Sequence, residues 1–331
     1  MFLEFIIPYF GAAERFIPTL STVFKQTDKQ DIGIIIVDDN GDVKKNKGET
    51  KKVKQYLELL KGINTIPVTY LENEANVGPG ISRNKGLAAA TAKYISFLDS
   101  DDYLHEDYVK IFKEECAIGE DFDIFVGSCL SVKSKEEYMQ INPEIITWIH
   151  GKAYKLSFLR ENNITFPNLR MNEDSGFNAI AYEITKDIRY YKGNIPMYYW
   201  MSDNPESLTS LNKDQPYERT IQTYIESVIF AYEHLLGKYD YEKFDRFPAQ
   251  ILQVYLFYCE LLYRGDTVNE LEKTLQNFFN LIHKTKWYQS QRIKDKIAQY
   301  VVYQNIVGPM IPEITFSEFV KKFEKESLNF K

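Results

Sequence analysis

The chain has 331 residues, 44% hydrophobic and 26% charged, enough for one large or two ordinary domains with an ample core. A formal charge of −7 argues against a general nucleic-acid binder, which needs a basic face. Three scattered cysteines, Cys116, Cys129 and Cys259, argue against a disulfide framework or a structural zinc site and make a reducing cytoplasm the expected compartment.

The opening MFLEFIIPYF is apolar but too short to span a bilayer and lacks a basic n-region. It reads as a first strand, Leu3 to Pro8. Phe16, Ile17, Leu20, Val23 and Phe24 recur at helical spacing within Ala12 to Gln26. Ile32 to Val37 is a continuous apolar run, the pattern of a central parallel strand, and it ends in Asp38-Asp39-Asn40-Gly41. An amphipathic helix over Glu49 to Lys61 and a third strand over Pro67 to Leu71 follow. Gly78-Pro79-Gly80 opens a helix through Ala92. Tyr94 to Leu98 is a short buried strand that breaks into Asp99, Ser100, Asp101 and Asp102. A helix is predicted over Glu106 to Ile118, then one strand over Ile124 to Val132. A short strand around Trp148 to Tyr154, a helix from Leu156 to Asn162, a helix starting near Asp174 and two aromatic strands, IRYYKG and PMYYWMS, come next. Beyond a turn-rich stretch the chain turns helical, over Tyr217 to Leu236, Tyr241 to Tyr263, Val268 to Lys284 and Gln289 to Tyr303. This places a domain boundary near Leu211 to Pro216. No stretch of about 18 apolar residues predicts a membrane-spanning helix.

Strand–helix alternation of this kind predicts a doubly wound α/β sheet, whose ligands bind beyond the carboxyl ends of the strands. Both acidic clusters fall at such ends. Three carboxylates at the end of a buried strand repel one another and lose hydration unless a cation or hydrogen bonds compensate. A divalent metal carrying a phosphorylated ligand accounts for that; a turn with acidic helix caps is the plainer alternative. The glycine-rich NVGPGISRNKG is neither a P-loop nor a dinucleotide fingerprint, but its helix N-terminus and Arg83 suit a diphosphate. A phosphatase of the haloacid-dehalogenase type, with Asp99 as nucleophile, is disfavoured by Tyr103 and by three preceding strands. Glu173-Asp174 reads either as a helix cap or as a general base. His150 reads as a strand residue or a contact to acceptor or phosphate. Trp148, Tyr199 and Trp200 read as core or as shelves for sugar rings.

Taken in order, IIPYF, KQT (25–27), IIIVDDN (34–40), NVGPGISRNKGL (76–87), YISFLDSDD (94–102), NEDSGF (172–177) and YWMSDNPESLT (199–209) resemble the inverting family 2 glycosyltransferases with the GT-A fold. The likeness covers about residues 1–212. The chain departs from the family pattern at Phe10, Asn40-Gly41 and Ser82. The resemblance implies a GT-A type doubly wound mixed sheet over 1–212 and an all-helical C-terminal region over 213–331. It implies transfer from a nucleotide sugar, expected to be UDP-linked, to a glycan or lipid-linked glycan acceptor such as a capsule, lipooligosaccharide or teichoic-acid-like polymer. Asp39 with Pro8 and Tyr9 would serve the base, Arg83 the base or diphosphate, and Asp99 with Ser100 the ribose or donor sugar. Asp101 would ligate Mn²⁺ or Mg²⁺, and Asp174 would be the catalytic base. Asp102, His150, Glu173 and Trp200 are candidates for the acceptor site or for support of the other groups. A catalytically silent sugar-nucleotide-binding protein of the same fold is the alternative.

The C-terminal helices leave three roles open: packing, homo-oligomer formation, or shaping the acceptor groove. Phe316 to Phe330 carries Phe316, Phe319, Val320 and Phe323 on one face. That pattern fits a packed terminal helix or a membrane-surface helix, the latter placing the protein at the inner face of the membrane.

Overall fold

The computed structural model describes residues 1–134, 136–202, 217–236, 238–239, 244, 246–265, 269–283, 291, 295, 298–299 and 314–327. Most of the predicted helix Gln289 to Tyr303, the expected boundary Leu211 to Pro216 and the end of the 199–209 segment lie outside these residues. The chain divides into two compact units, Met1–Arg170 with Ile184–Ser210, and Met171–Glu183 with Leu211–Lys331.

The first unit runs β1 (Leu3–Tyr9), α1 (Ala13–Phe24), β2 (Ile32–Asp38), α2 (Lys47–Leu60), β3 (Val68–Glu72), α3 (Pro79–Ala89), β4 (Tyr94–Phe97), β5 (Tyr103–Leu104), α4 (Tyr108–Cys116), β6 (Ile124–Val126), β7 (Cys129–Val132), β8 (Tyr138–Gln140), β9 (Lys152–Lys155), α5 (Leu156–Glu161), β10 (Ile188–Tyr190) and β11 (Tyr198–Met201). Its main sheet has seven strands in the order β10-β6-β9-β4-β1-β2-β3. β1 is buried along its whole length and pairs in parallel with β2 and β4. β9 is antiparallel to both its neighbours, which makes the sheet mixed. Register places Tyr9 opposite Asp38 and Ile6 opposite Phe97. The parallel strands therefore deliver Pro8–Tyr9, Asp38–Asp39 and Asp99 to one carboxyl edge.

The single strand expected over Ile124 to Val132 is two. Gly127 N–H bonds to Gly151 O at 3.0 Å, and a Cβ on Gly127 would sit 2.8 Å from that oxygen. The break hands the chain from the main sheet to a small one, β5-β11-β7-β8. The strand expected from Trp148 begins only at Lys152. Gly151, at φ +69°, ends a turn in which Lys152 N–H bonds to Ile149 O.

The second unit begins with α6 (Glu173–Ile184), a segment that the sequence groups with the first domain. Asn172, at φ +59°, starts it, and its side-chain amide donates to Thr220 O and Thr223 Oγ1 on the helix Tyr217–Leu235. Glu183 caps the helix Phe247–Arg264 by accepting from Arg246 and Phe247 N–H at 2.8 and 2.9 Å. In Phe316–Ser327, Phe319 and Phe323 are fully buried against Tyr255, Tyr258 and Phe279. Its apolar face is thus spent on packing. No described helix is long and apolar enough to cross a membrane.

Candidate functional site

Two acidic turns meet at the carboxyl edge of the first unit. In the first, Asp38 accepts from Asn40 N–H and Nδ2, Thr50 Oγ1 and Tyr70 OH. Asp39, buried to 3% exposure, accepts from Asn73 Nδ2 and Val77 N–H on one oxygen, and from Asn76 Nδ2 and Gly78 N–H on the other. A carboxylate offers about four lone-pair sites, so four bonds saturate it. Asp39 thus ties the loop Asn73–Gly78 to the end of β2. Arg170 holds that loop from outside through Asn76 Oδ1 and O. Gly78, at φ +90°, lets its N–H turn toward Asp39 just before Pro79 opens α3.

The second turn is Asp99 to Asp102. Arg83 on α3 is buried and meets Asp99 Oδ1 at 2.5 Å, its guanidinium resting over the Phe166 ring. The preceding residue, Ser82, accepts from Asn73, which in turn donates to Asp39, so consecutive positions of α3 connect to the Asp99 turn directly and to Asp39 through Asn73. His150 Nε2 lies 3.3 Å from Asp99 Oδ2 and 3.9 Å from Asp102 Oδ2. Its ring is stacked beside Tyr198 and Trp200. Asp102 is fully buried and accepts from Tyr198 OH at 2.6 Å and Met201 N–H at 2.8 Å. Ser100 contributes its carbonyl, which accepts from Thr19 Oγ1 on α1. Asp101 is half-buried at the turn.

Electrostatics divides these carboxylates. Burial disfavours the charge of Asp99, but Arg83 and His150 outweigh it and hold the carboxyl well below the usual range. Burial, then repulsion from Asp101 and Asp99, pushes Asp102 well above that range. Burial, then the Asp102 and Asp99 carboxylates, raise the Tyr198 hydroxyl. Buried Arg83 pairs with Asp99, the first of three carboxylates within four residues. Carboxylate oxygens clustered this closely suit an oxygen-loving divalent cation. Ligand atoms of Asp99, Asp102 and His150 also lie within 4.8 Å of one another. Both oxygens of Asp102 accept protein hydrogen bonds, and those of Asp99 meet Arg83 and His150.

Pro8 and Tyr9 end β1 beside this edge. Tyr9 is buried, stacked on Phe16 with its hydroxyl on Gly11 O. The neighbouring Phe10 is 47% exposed. Trp148 and Trp200 pack at 5.2 Å, both half-buried. Tyr199 points away, toward His105, because neighbours along a strand face opposite sides. Tyr198, not Tyr199, therefore joins the site; the alternation in YYWM carried that information. Asn73 and Asn76, the amides that saturate Asp39, had no such pattern to reveal them. Asp174 stands in the first turn of α6 in the second unit, with Oδ1 accepting from Ser175 N–H. Glu173 beside it is buried.

A mixed sheet with acidic turns at its carboxyl edge is the GT-A type of fold. The crystal structure of residues 1–349 of Staphylococcus aureus TarS in complex with UDP-GlcNAc superposes with a TM-score of 0.61 at 19% identity, covering 90% of this chain and 84% of that one. Residues 4–179 match the family described as Glycosyl transferase family 2, and the chain belongs to that family. A poly(ribitol-phosphate) β-glucosyltransferase of Bacillus spizizenii is 28% identical over 216 residues, 58% of this chain and 32% of that protein. The poly(ribitol-phosphate) β-N-acetylglucosaminyltransferase TarP of S. aureus is 31% identical over 208 residues, 56% of this chain and 61% of that protein. The match spans less than two thirds of either relative.

Proposed function

We propose that the chain is a metal-assisted inverting glycosyltransferase that moves a sugar from a UDP-sugar to a hydroxyl of a teichoic-acid-like polyol-phosphate or related surface glycan. The observation that carries this reading is α3, whose consecutive residues Ser82 and Arg83 join the Asp39 loop to the Asp99 turn. Base-binding and diphosphate-binding elements thereby form one continuous edge. The acceptor class follows the poly(ribitol-phosphate) enzymes among the relatives.

In this reading Asp39 fixes the loop Asn73–Gly78 that bounds the base pocket, and Pro8, Tyr9 and the exposed Phe10 line it. Arg83 holds Asp99 ionised and pointed at the donor ribose or sugar, beside Ser100. Asp101 with Asp99 would hold Mn²⁺ or Mg²⁺, which when bound neutralises the leaving diphosphate as a Lewis acid. Asp174 takes the proton of the acceptor hydroxyl as the new C–O bond forms. A single displacement inverts the anomeric centre, so one base suffices. His150 and Asp102 support the Asp99 turn, and Trp200 with Trp148 offers a shelf for a sugar ring. Glu173, the neighbour of Asp174 in sequence, is assigned to the acceptor.

The test is a panel of nucleotide sugars assayed for slow hydrolysis, with UDP titrated in the presence and absence of Mn²⁺. Mn²⁺-dependent UDP binding with hydrolysis of one UDP-sugar is expected. Metal-independent binding without hydrolysis of any donor would instead leave a silent sugar-nucleotide-binding protein. Asp174→Asn should lower transfer by roughly 10²–10⁴-fold while donor affinity holds; unimpaired transfer would remove Asp174 from the base role. Asp101→Ala should weaken UDP binding only when Mn²⁺ is present, and an unchanged Mn²⁺ dependence would reject its ligand role.

A further inference from the structure

The chain is acidic overall, yet Asp42 to Lys61 holds seven lysines against three carboxylates. This segment forms a 3₁₀ turn (Lys44–Asn46) and α2. The inward face of α2 is fully committed. Val53 is buried, Tyr56, Leu57 and Leu60 pack on the core, and Tyr56 OH meets Ser21 Oγ at 3.0 Å. Thr50 Oγ1 donates to Asp38, and Glu49 accepts from Ala13 N–H. The outward face is therefore rigid, and it is basic: Lys44, Lys47, Lys51, Lys52, Lys54 and Lys61 are all exposed. Lys52, Lys54 and Lys61 pair with Glu49, Glu72 and Glu58. Among the described residues, Lys44, Lys47 and Lys51 make no ion pair.

A second feature shares this face. Leu59 is 75% exposed and Ile63 80% exposed, more than any other large hydrophobic side chain described. Leu59 lies eight residues after Lys51 and twelve after Lys47, on the outward half of the helix. Ile63 follows in the turn that closes the helix, where its N–H bonds to Leu60 O. Unpaired lysines with aliphatic side chains projecting between them match an anionic bilayer surface. Phosphate headgroups take the ammonium groups, and the acyl boundary takes Leu59 and Ile63. A hydrated phosphodiester polymer would satisfy the lysines and leave the aliphatic groups in water.

We propose that the outward face of α2 and the turn after it dock the protein on an anionic lipid surface. Because α2 springs from the turn after β2, docking would hold the Asp39 end of the candidate site at a set orientation over the bilayer. The contrast with Phe316–Ser327 is direct: that helix buries Phe319 and Phe323, whereas α2 and the turn after it present lysines, Leu59 and Ile63 outward.

The full chain should sediment with vesicles of phosphatidylcholine mixed with phosphatidylglycerol, not with phosphatidylcholine alone, and high salt should release it. Replacing Lys44, Lys47 and Lys51 together with Glu should cut the partition coefficient at least about tenfold. Leu59→Ser with Ile63→Ser should cut it several-fold and leave the remainder more salt-sensitive. All five positions are exposed, so thermal unfolding should be unchanged and reports folding directly. Equal binding to neutral vesicles, or undiminished binding of the triple lysine variant, would overturn the proposal. So would capture of soluble polyphosphate without capture of vesicles, which would give the face to a polyanionic polymer.

Discussion

The two acidic turns at the carboxyl edge look alike in sequence and are built on opposite principles. Asp38 and Asp39 are surrounded by neutral donors, each accepting four hydrogen bonds. Their charge is spread over amides and hydroxyls that belong to the fold. Asp99 leans on Arg83 and His150, and Asp102 has His150 beside two neutral donors, Tyr198 OH and Met201 N–H. The first turn is a brace whose bonds are complete. The second is a charge reservoir held under repulsion, and a cation or a phosphorylated ligand has most to offer there.

Three substitutions separate these two modes. The largest effect is expected from Arg83→Leu, which leaves half-buried Asp99 without its arginine. A loss of about 3 kcal/mol in urea unfolding is expected, since removing the buried partner of an ion pair strands the other charge. A loss below about 1 kcal/mol would mean that His150 or solvent already carries Asp99, and that the charge description of this turn is wrong.

Asp39→Asn should come next. The amide would present an NH₂ to donors that need an acceptor, from Asn76 and Gly78 or from Asn73 and Val77. About 2 kcal/mol of stability should be lost, with hydrogen exchange speeding up in Asn73–Gly78. Unchanged exchange in that loop would show that Asp39 does not brace it.

Asp102→Asn should do least, within about 1 kcal/mol at neutral pH. An amide can accept from Met201 N–H and donate to the Tyr198 oxygen, replacing both partners. The pH dependence should differ more. The folded Asp102 carboxyl is raised by burial and then by Asp101 and Asp99. Its contribution to stability is fully present below the unfolded carboxylate value and is lost as pH rises through the raised folded value. The variant should flatten that decline; an unaltered slope in denaturation across pH would place the raised group elsewhere.

Much of the edge was legible along the chain. Apolar runs ending in DDNG and DSDD located β2, β4 and their carboxyl ends, because a parallel strand covered on both faces must be apolar until it leaves the sheet. Glycine and proline at Gly78-Pro79 marked the start of α3, and Arg83 followed within its first turns. The roles inside the clusters were less legible. Asp102, which reads as the plainest of the three, is the most deeply buried and the most strained electrostatically. His150 reads as a strand residue, but the turn closed by Gly151 swings it beside Asp99. Neither fact has a local signature: Asp102 depends on Tyr198 and Met201, 96 and 99 residues away, and His150 meets Asp99 from 51 residues away.

The sequence by itself determined the α/β alternation, the acidic edge, the family and the helical character of the C-terminal part. These follow from periodicity and from residue chemistry at strand ends, which are local properties. Only the tertiary structure decided which carboxylates are held by neutral donors and which lean on Arg83 and His150. It also decided that β6 and β7 part at Gly127, and that α6, with Glu173 and Asp174, belongs to the second compact unit. Hydrogen-bond saturation and burial are set by groups distant in the chain, so no reading of Asp39 or Asp102 in isolation could tell a finished brace from a site awaiting charge.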